Sequence, residues 1–198
     1  MPGEWSIVSS RDVLILASQS PRRRELLTVA GFDFTVRSSE VAEVRAPGEP
    51  PLDYARRLAK EKAETVRQSP DETVLGADTI VVVDDRVLEK PANAKEARGM
   101  LRTLSGRSHV VITGICLLHA SDSIVDHELT RVHFVELDDR EIESYVASGE
   151  PMDKAGAYAI QGLASKFVDR IEGCYFNVMG LPLSLVYRHY KSISVKHG

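Results

Sequence analysis

Three consecutive arginines, Arg22, Arg23 and Arg24, follow the polar run Ser18-Gln-Ser-Pro21. This is the chemistry of phosphate recognition. Ser20 is a suitable helix N-cap, and Pro21 is preorganised for the first helical position. A helix opening here presents backbone N–H groups beside Ser18, Ser20 and an arginine fork, which together suit an anion. The alternative is a solvated basic turn. Cations sit poorly at the positive end of a helix dipole, however, and that local conflict favours an anion site.

Asp78 is the second signal. It lies in Leu75-Gly-Ala-Asp-Thr-Ile-Val-Val-Val83, and a carboxylate in an apolar strand is costly unless paired, hydrogen-bonded or ligating a metal. Its structural alternative is an aspartate at a strand end or bulge, and Gly76 provides the means for a bulge. In a regular strand Asp78 and Thr79 face opposite sides, so a ligand touching both requires the strand to end or distort there. Lys62 shares a helix face with Ala55, Leu58 and Ala59. It either snorkels from the margin of that face or points toward anions. Lys90, in Glu89-Lys-Pro91, reads by itself as a solvated loop lysine, and Glu43 as a solvated member of an acidic loop. Gln161 is suited either to reading a base edge through its amide or to capping a turn.

The inventory is a phosphate-binding turn, several cations and two or three carboxylates. It suits phosphoanhydride chemistry with a divalent metal, in which a carboxylate holds metal or activates water and cations offset phosphate charge. The sequence has no Gly-x-x-x-x-Gly-Lys-[Ser/Thr] loop, no Gly-x-Ser-x-Gly elbow and no zinc spacing among its 6 histidines.

The elements that must position these residues alternate. A buried strand at Val13–Ala17 leads through the basic turn into a helix over Pro21–Ala30, with Leu26, Leu27 and Ala30 inward. A strand over Phe32–Arg37, a proline-containing acidic loop and a helix over Leu52–Gln68 follow. Thr73–Val83 reads as a strand that turns at Asp84-Asp85 into a hairpin. Asn93 and Glu96 form an Asx-type capping box for a third helix. Two long strands, about His109–His119 and Ile124–Leu137, precede a helix capped by Asp138 and Glu141. Lys154–Asp169 mixes loop with a strand near Phe167. Pro182 opens a last helix with Leu183, Val186, Tyr187 and Tyr190 inward. Hairpins interrupting a βα alternation favour a mixed-sheet α/β fold.

Composition sets limits. With 198 residues and 43% hydrophobic content, the chain buries an ordinary core. A net charge of −4 excludes a general nucleic-acid or membrane surface, so the cations must act locally. Two cysteines imply no disulfide framework and suit a reducing, cytoplasmic compartment. The N-terminus lacks a secretory pattern, and no apolar run approaches the roughly 20 residues of a membrane span.

Seven motifs in one order carry a resemblance. They are Leu16-Ala-Ser-x-Ser-Pro-Arg-Arg23, Arg57-Leu-Ala-x-x-Lys-Ala63, Gly76-Ala-Asp-Thr79, Leu88-Glu-Lys-Pro91, Leu104-Ser-Gly106, Gly149-Glu-Pro-Met-Asp-Lys-Ala-Gly156 and Gly180-Leu-Pro182. The chain resembles the Maf family of nucleoside triphosphate pyrophosphatases over about residues 13–190, as one domain. The resemblance implies an elongated two-lobed α/β fold, similar to inosine-triphosphate pyrophosphatases, with a cleft between lobes. It implies hydrolysis of a nucleoside triphosphate to the monophosphate and pyrophosphate, with Mg²⁺ or, as second choice, Mn²⁺. Asp78 falls on the catalytic position and Arg23, Lys62, Lys90 and Glu43 on cleft positions, Glu43 with Glu40 as its near neighbour. Asp78 and Glu43 are the implied metal ligands, and Ser18, Ser20, Arg23, Lys62 and Lys90 the implied phosphate contacts. Arg22, Thr79 and Gln161 match the subgroup acting on dTTP and UTP. The competing expectations are the same reaction on modified or purine triphosphates, and a non-catalytic nucleotide-binding regulator of cell division. A homodimer is expected at family level only; no nucleic-acid or membrane partner is expected.

Overall fold

Residues 13–197 are described by the structure, a computed structural model, with side chains through 193. Strand β1 (Leu14–Ala17) is buried at every position and runs into helix α1 (Pro21–Val29). Strand β2 (Phe34–Val36) pairs parallel with β1, and β3 (Val74–Val83) lies parallel on its other side. Helix α2 (Pro51–Val66) makes the crossover between them. Asp84 and Asp85 both take positive φ, 48° and 60°, the backbone of a tight hairpin turn into β4 (Arg86–Leu88). Then come α3 (Ala94–Leu104), the long strands β5 (Ser108–His119) and β6 (Asp122–Phe134), and α4 (Asp139–Ala147). Short 3-10 turns lead to β7 (Val168–Glu172), α5 (Tyr175–Met179) and α6 (Leu183–His197). The sheet order is β2-β1-β3-β5-β6-β7, with β4 attached to β3. Parallel pairs at one side and antiparallel pairs at β3–β4 and β6–β7 make it a mixed sheet, the α/β class that the sequence predicts.

The chain forms two compact units. Of the described residues, the first contains Val13–Asp78, Gly114–His127 and 180–197. Its core joins Ile15, Ala17 and Val74 to Ala59, Ala63 and Val66 of α2 and to Cys116 and Leu118 of β5. The second contains Thr79–Thr113 and Glu128–Met179. An aromatic cluster of His109, Phe134, Tyr145, Tyr158 and Phe167 organises it, with edge-to-face pairs at 4.9–5.4 Å between ring centres.

Local signals set the element ends. Asn93 accepts from the Glu96 N–H, while the Glu96 carboxylate accepts from Ala92 instead of Asn93, so only half of the expected box forms. At α4 both halves form between Asp138 and Glu141. Two more expectations are corrected. Tyr187 is exposed, because the buried stripe of α6 runs through Leu185, Val186, Tyr190 and Ile193. Ala30 lies just beyond α1 as its C-cap and is only half-buried. The short helix α5 had no counterpart in the sequence reading.

Candidate active site

Close backbone approach builds the site. A side chain at Gly76 would strike the Ala59 carbonyl and come within 2.9 Å of the Ala63 nitrogen. One at Gly114 would strike the Ala55 carbonyl. These two glycines let α2 lie directly on β3 and β5. The helix thereby carries Lys62, 7% exposed, to Asp78, 5% exposed, on β3. Lys62 Nζ is 2.5 Å from Asp78 Oδ1 and 2.5 Å from Glu43 Oε1. The ammonium is therefore the shared partner of two carboxylates, and of the two glutamates considered it is Glu43 that touches it. Of Lys62's two readings, snorkelling is excluded.

The loop carrying Glu43 has its own anchor. Arg57 of α2 donates to the Val44 carbonyl at 3.0 Å and to both Glu49 carboxylate oxygens at 2.7 and 2.8 Å. The Arg57 hydrogen bonds hold the Glu49 carboxyl down at about 2. Sequence reasoning assigned Arg57 no task beyond its place in a motif, although its i,i+4 spacing to Glu61 marks it as a residue fixed on the helix surface.

The basic turn is organised from within. Ser20 occupies the N-cap position of α1 but its side chain makes no cap bond. Its N–H goes to Ser18 Oγ at 3.1 Å, which also accepts from Arg23 Nη1 at 3.2 Å. Arg23 is the buried arginine of the three, and its Nε donates to the Gly180 carbonyl at 2.8 Å. Burial lowers its pKa and Arg22 adds to that effect, while the charges of Asp78 and Glu43 oppose it. Ser18, Arg23, Glu43, Lys62 and Asp78 all belong to the first unit, with Arg22 half-buried beside them in sequence.

Thr79, Lys90 and Gln161 belong to the second unit. Strand β3 runs unbroken through Asp78 and Thr79, so it neither ends nor breaks at the pair. What changes is its partner, β1 as far as Gly76 and β4 from Val81. Asp78 and Thr79 are also where the two units divide. Thr79 Oγ1 lies 2.9 Å from Thr113 Oγ1. Lys90 is exposed after β4, beside Glu89, whose carbonyl accepts from Gly156 at 3.2 Å. Gly156 takes φ +69° and abuts Val81, where a side chain would not fit. Gln161 is exposed on a turn pinned from both flanks. Tyr145 Oη accepts from the Ala159 N–H at 3.2 Å and donates to Glu150, which accepts from Leu163 at 3.0 Å.

A family model described as "Maf-like protein" matches residues 13–193. The chain belongs to the Maf-like family. A relative in Koribacter versatilis, named dTTP/UTP pyrophosphatase, is 53% identical over 92% of this chain and 95% of its own length. Another in Syntrophomonas wolfei, with the same name, is 51% identical over 87% of this chain and 93% of its own. Among solved structures the Staphylococcus aureus Ham1 protein is 12% identical, with a TM-score of 0.52 over 91% of this chain and 99% of that one. That likeness shows a shared fold for the Maf-like chain. No helix among the described residues is long and apolar enough to cross a membrane.

Proposed function

We propose that the chain hydrolyses dTTP and UTP to the nucleoside monophosphate and pyrophosphate. The observation that carries this is the buried Lys62 ammonium shared by Asp78 and Glu43, in a chain whose relatives are named for that reaction. Asp78 and Lys62 are both buried, so the pair holds a carboxylate and an ammonium together away from bulk water. Arg23 and Lys62 serve as the cations for the phosphates, with Lys90 and the first-turn N–H groups of α1 beside Ser18 and Ser20. Arg22, Thr79 and Gln161 read the base.

The donor set suits Mg²⁺. Two carboxylate oxygens, on Asp78 and Glu43, already converge on one cationic atom. No group of three or more His, Cys, Asp and Glu able to hold a metal occurs among the described residues. Mg²⁺ needs none, because it is commonly held by one or two carboxylates while phosphates and waters complete its shell. Asp78 and Glu43 would hold it, and when bound it would neutralise charge on the phosphates.

The test is product analysis with a nucleotide panel. UTP and dTTP should yield pyrophosphate and monophosphate faster than CTP, GTP or 7-methyl-GTP. Release of inorganic phosphate as the first product, or a purine preference, would overturn the reading.

A further inference from the structure

Thr79 directly follows Asp78 and is half-buried. Its hydroxyl meets that of Thr113, which is fully buried. Thr113 Oγ1 also lies 3.1 Å from the backbone carbonyl of Asn177. A carbonyl only accepts, so the single hydrogen of Thr113 goes to Asn177. The Thr113 oxygen is then the acceptor in its bond with Thr79, and Thr79 is the donor.

The far end of this relay is fixed. Asn177 is 0% exposed, and its Nδ2 donates to the Val111 carbonyl and to Thr130 Oγ1, each at 3.0 Å. Thr130 Oγ1 in turn donates to the Cys174 carbonyl and accepts from the Cys174 N–H, both at 3.0 Å. Every member lies in the second unit. With its one hydrogen committed to Thr113, the Thr79 hydroxyl has only lone pairs to offer elsewhere.

We propose that Thr113 is a positioning residue that locks the Thr79 hydroxyl as an acceptor, so that Thr79 selects bases carrying a ring N–H. Uracil and thymine present N3–H. Cytosine presents N3 as an acceptor, and two acceptors facing each other leave both unsatisfied. The inference rests on the base-reading role proposed above for Thr79 and adds the reason for its polarity.

The experiment compares kcat/KM for UTP and CTP in the full-length wild type, Thr79→Val, Thr113→Val and Thr113→Ser. Thr113→Val removes the acceptor with little change of shape, leaving the Thr79 hydroxyl free to turn and donate to cytosine N3. The UTP to CTP ratio should fall roughly tenfold, the scale of one ordinary hydrogen bond, chiefly through faster CTP turnover. Thr113→Ser keeps the relay and should keep the wild-type ratio. A purely structural role for Thr113 would slow both substrates alike and leave the ratio unchanged. If Thr79→Val collapses the ratio while Thr113→Val preserves it, the relay is wrong and the base-reading role stands. If Thr79→Val also preserves it, the base-reading role itself falls. Should Thr113→Val not fold, Thr113→Cys, with a weakly hydrogen-bonding thiol, is judged by the same criteria.

Discussion

Lys62 is the residue on which the first unit's charges converge, and removing either side of that arrangement has different consequences. Asp78→Asn keeps a polar group of the same shape against the ammonium. It should lower pyrophosphate release by about 10²–10⁴-fold, the range for losing a positioned acid–base group, with little change in melting temperature. Lys62→Met instead strands the 5%-exposed Asp78 carboxylate. Breaking a buried ion pair costs about 3–5 kcal/mol, and the lower end applies here because the Glu43 side chain is 39% exposed and rehydrates. Urea titration should show that loss, and hydrolysis should fall for every triphosphate alike; a loss confined to one base would remove Lys62 from the phosphates. Asp78 was legible in the sequence because an apolar run cannot hide a carboxylate without a reason. Glu43 was singled out only through resemblance, since nothing in its loop separates it from Glu40 until Lys62 is seen against its carboxylate. Thr113 looked like one more β-branched strand residue, because the polarity of a hydroxyl depends on partners far away in the chain.

At the scale of elements, α2 is placed by the absence of side chains at Gly76 and Gly114. Gly76→Ala puts a methyl group into the Ala59 carbonyl, so the helix must lift. We expect a loss of about 1–3 kcal/mol in denaturant titrations, as for other overpacked sites, together with reduced turnover as Lys62 draws away from Asp78. Full stability in this variant would mean that the helix is not seated by that contact. The loop before α2 gives a companion prediction. Arg57→Ala releases the segment carrying Glu43 and should reduce hydrolysis with a smaller effect on melting, which kinetics and calorimetry distinguish. Element starts were the most readable part of the fold, because Asn93 and Asp138 cap by local hydrogen bonds. The phase of α6 was not. Its sequence offers apolar residues on several sides, and the core selects Leu185, Val186, Tyr190 and Ile193 by what they meet, such as Phe32 against Tyr190 at 5.5 Å. Helix α5 was hidden by its length, since five residues carry no periodicity.

Across the whole molecule, the two units have separate acid sensitivities. His109, in the second unit, is 1% exposed against Phe134 and Tyr158, and burial, with the nearby His133 adding to it, lowers its pKa from 6.5 to about 4. The unfolded chain therefore takes up the proton first, and the His109 contribution, at most about 3 kcal/mol, is lost as pH falls from 6.5 to about 4. In the first unit Glu72 and Glu49 are held at about 2 by Arg37 and Arg57, so their contribution is complete above 4.5 and fades as pH falls toward 2. Hydrogen exchange resolved by segment should show Glu128–Met179 losing protection between pH 6.5 and 4, ahead of β1 and α2. His109→Phe should flatten that first window and leave the lower one; simultaneous loss in both units would contradict separate sensitivities. The bond from Arg23 to the Gly180 carbonyl has a consequence in time. A ribosome makes Arg23 long before Gly180, 157 residues later. Until that carbonyl emerges, the buried guanidinium lacks this acceptor, so a nascent or prematurely ended chain holds the basic turn incomplete. That turn is thereby completed only once the chain has reached Gly180.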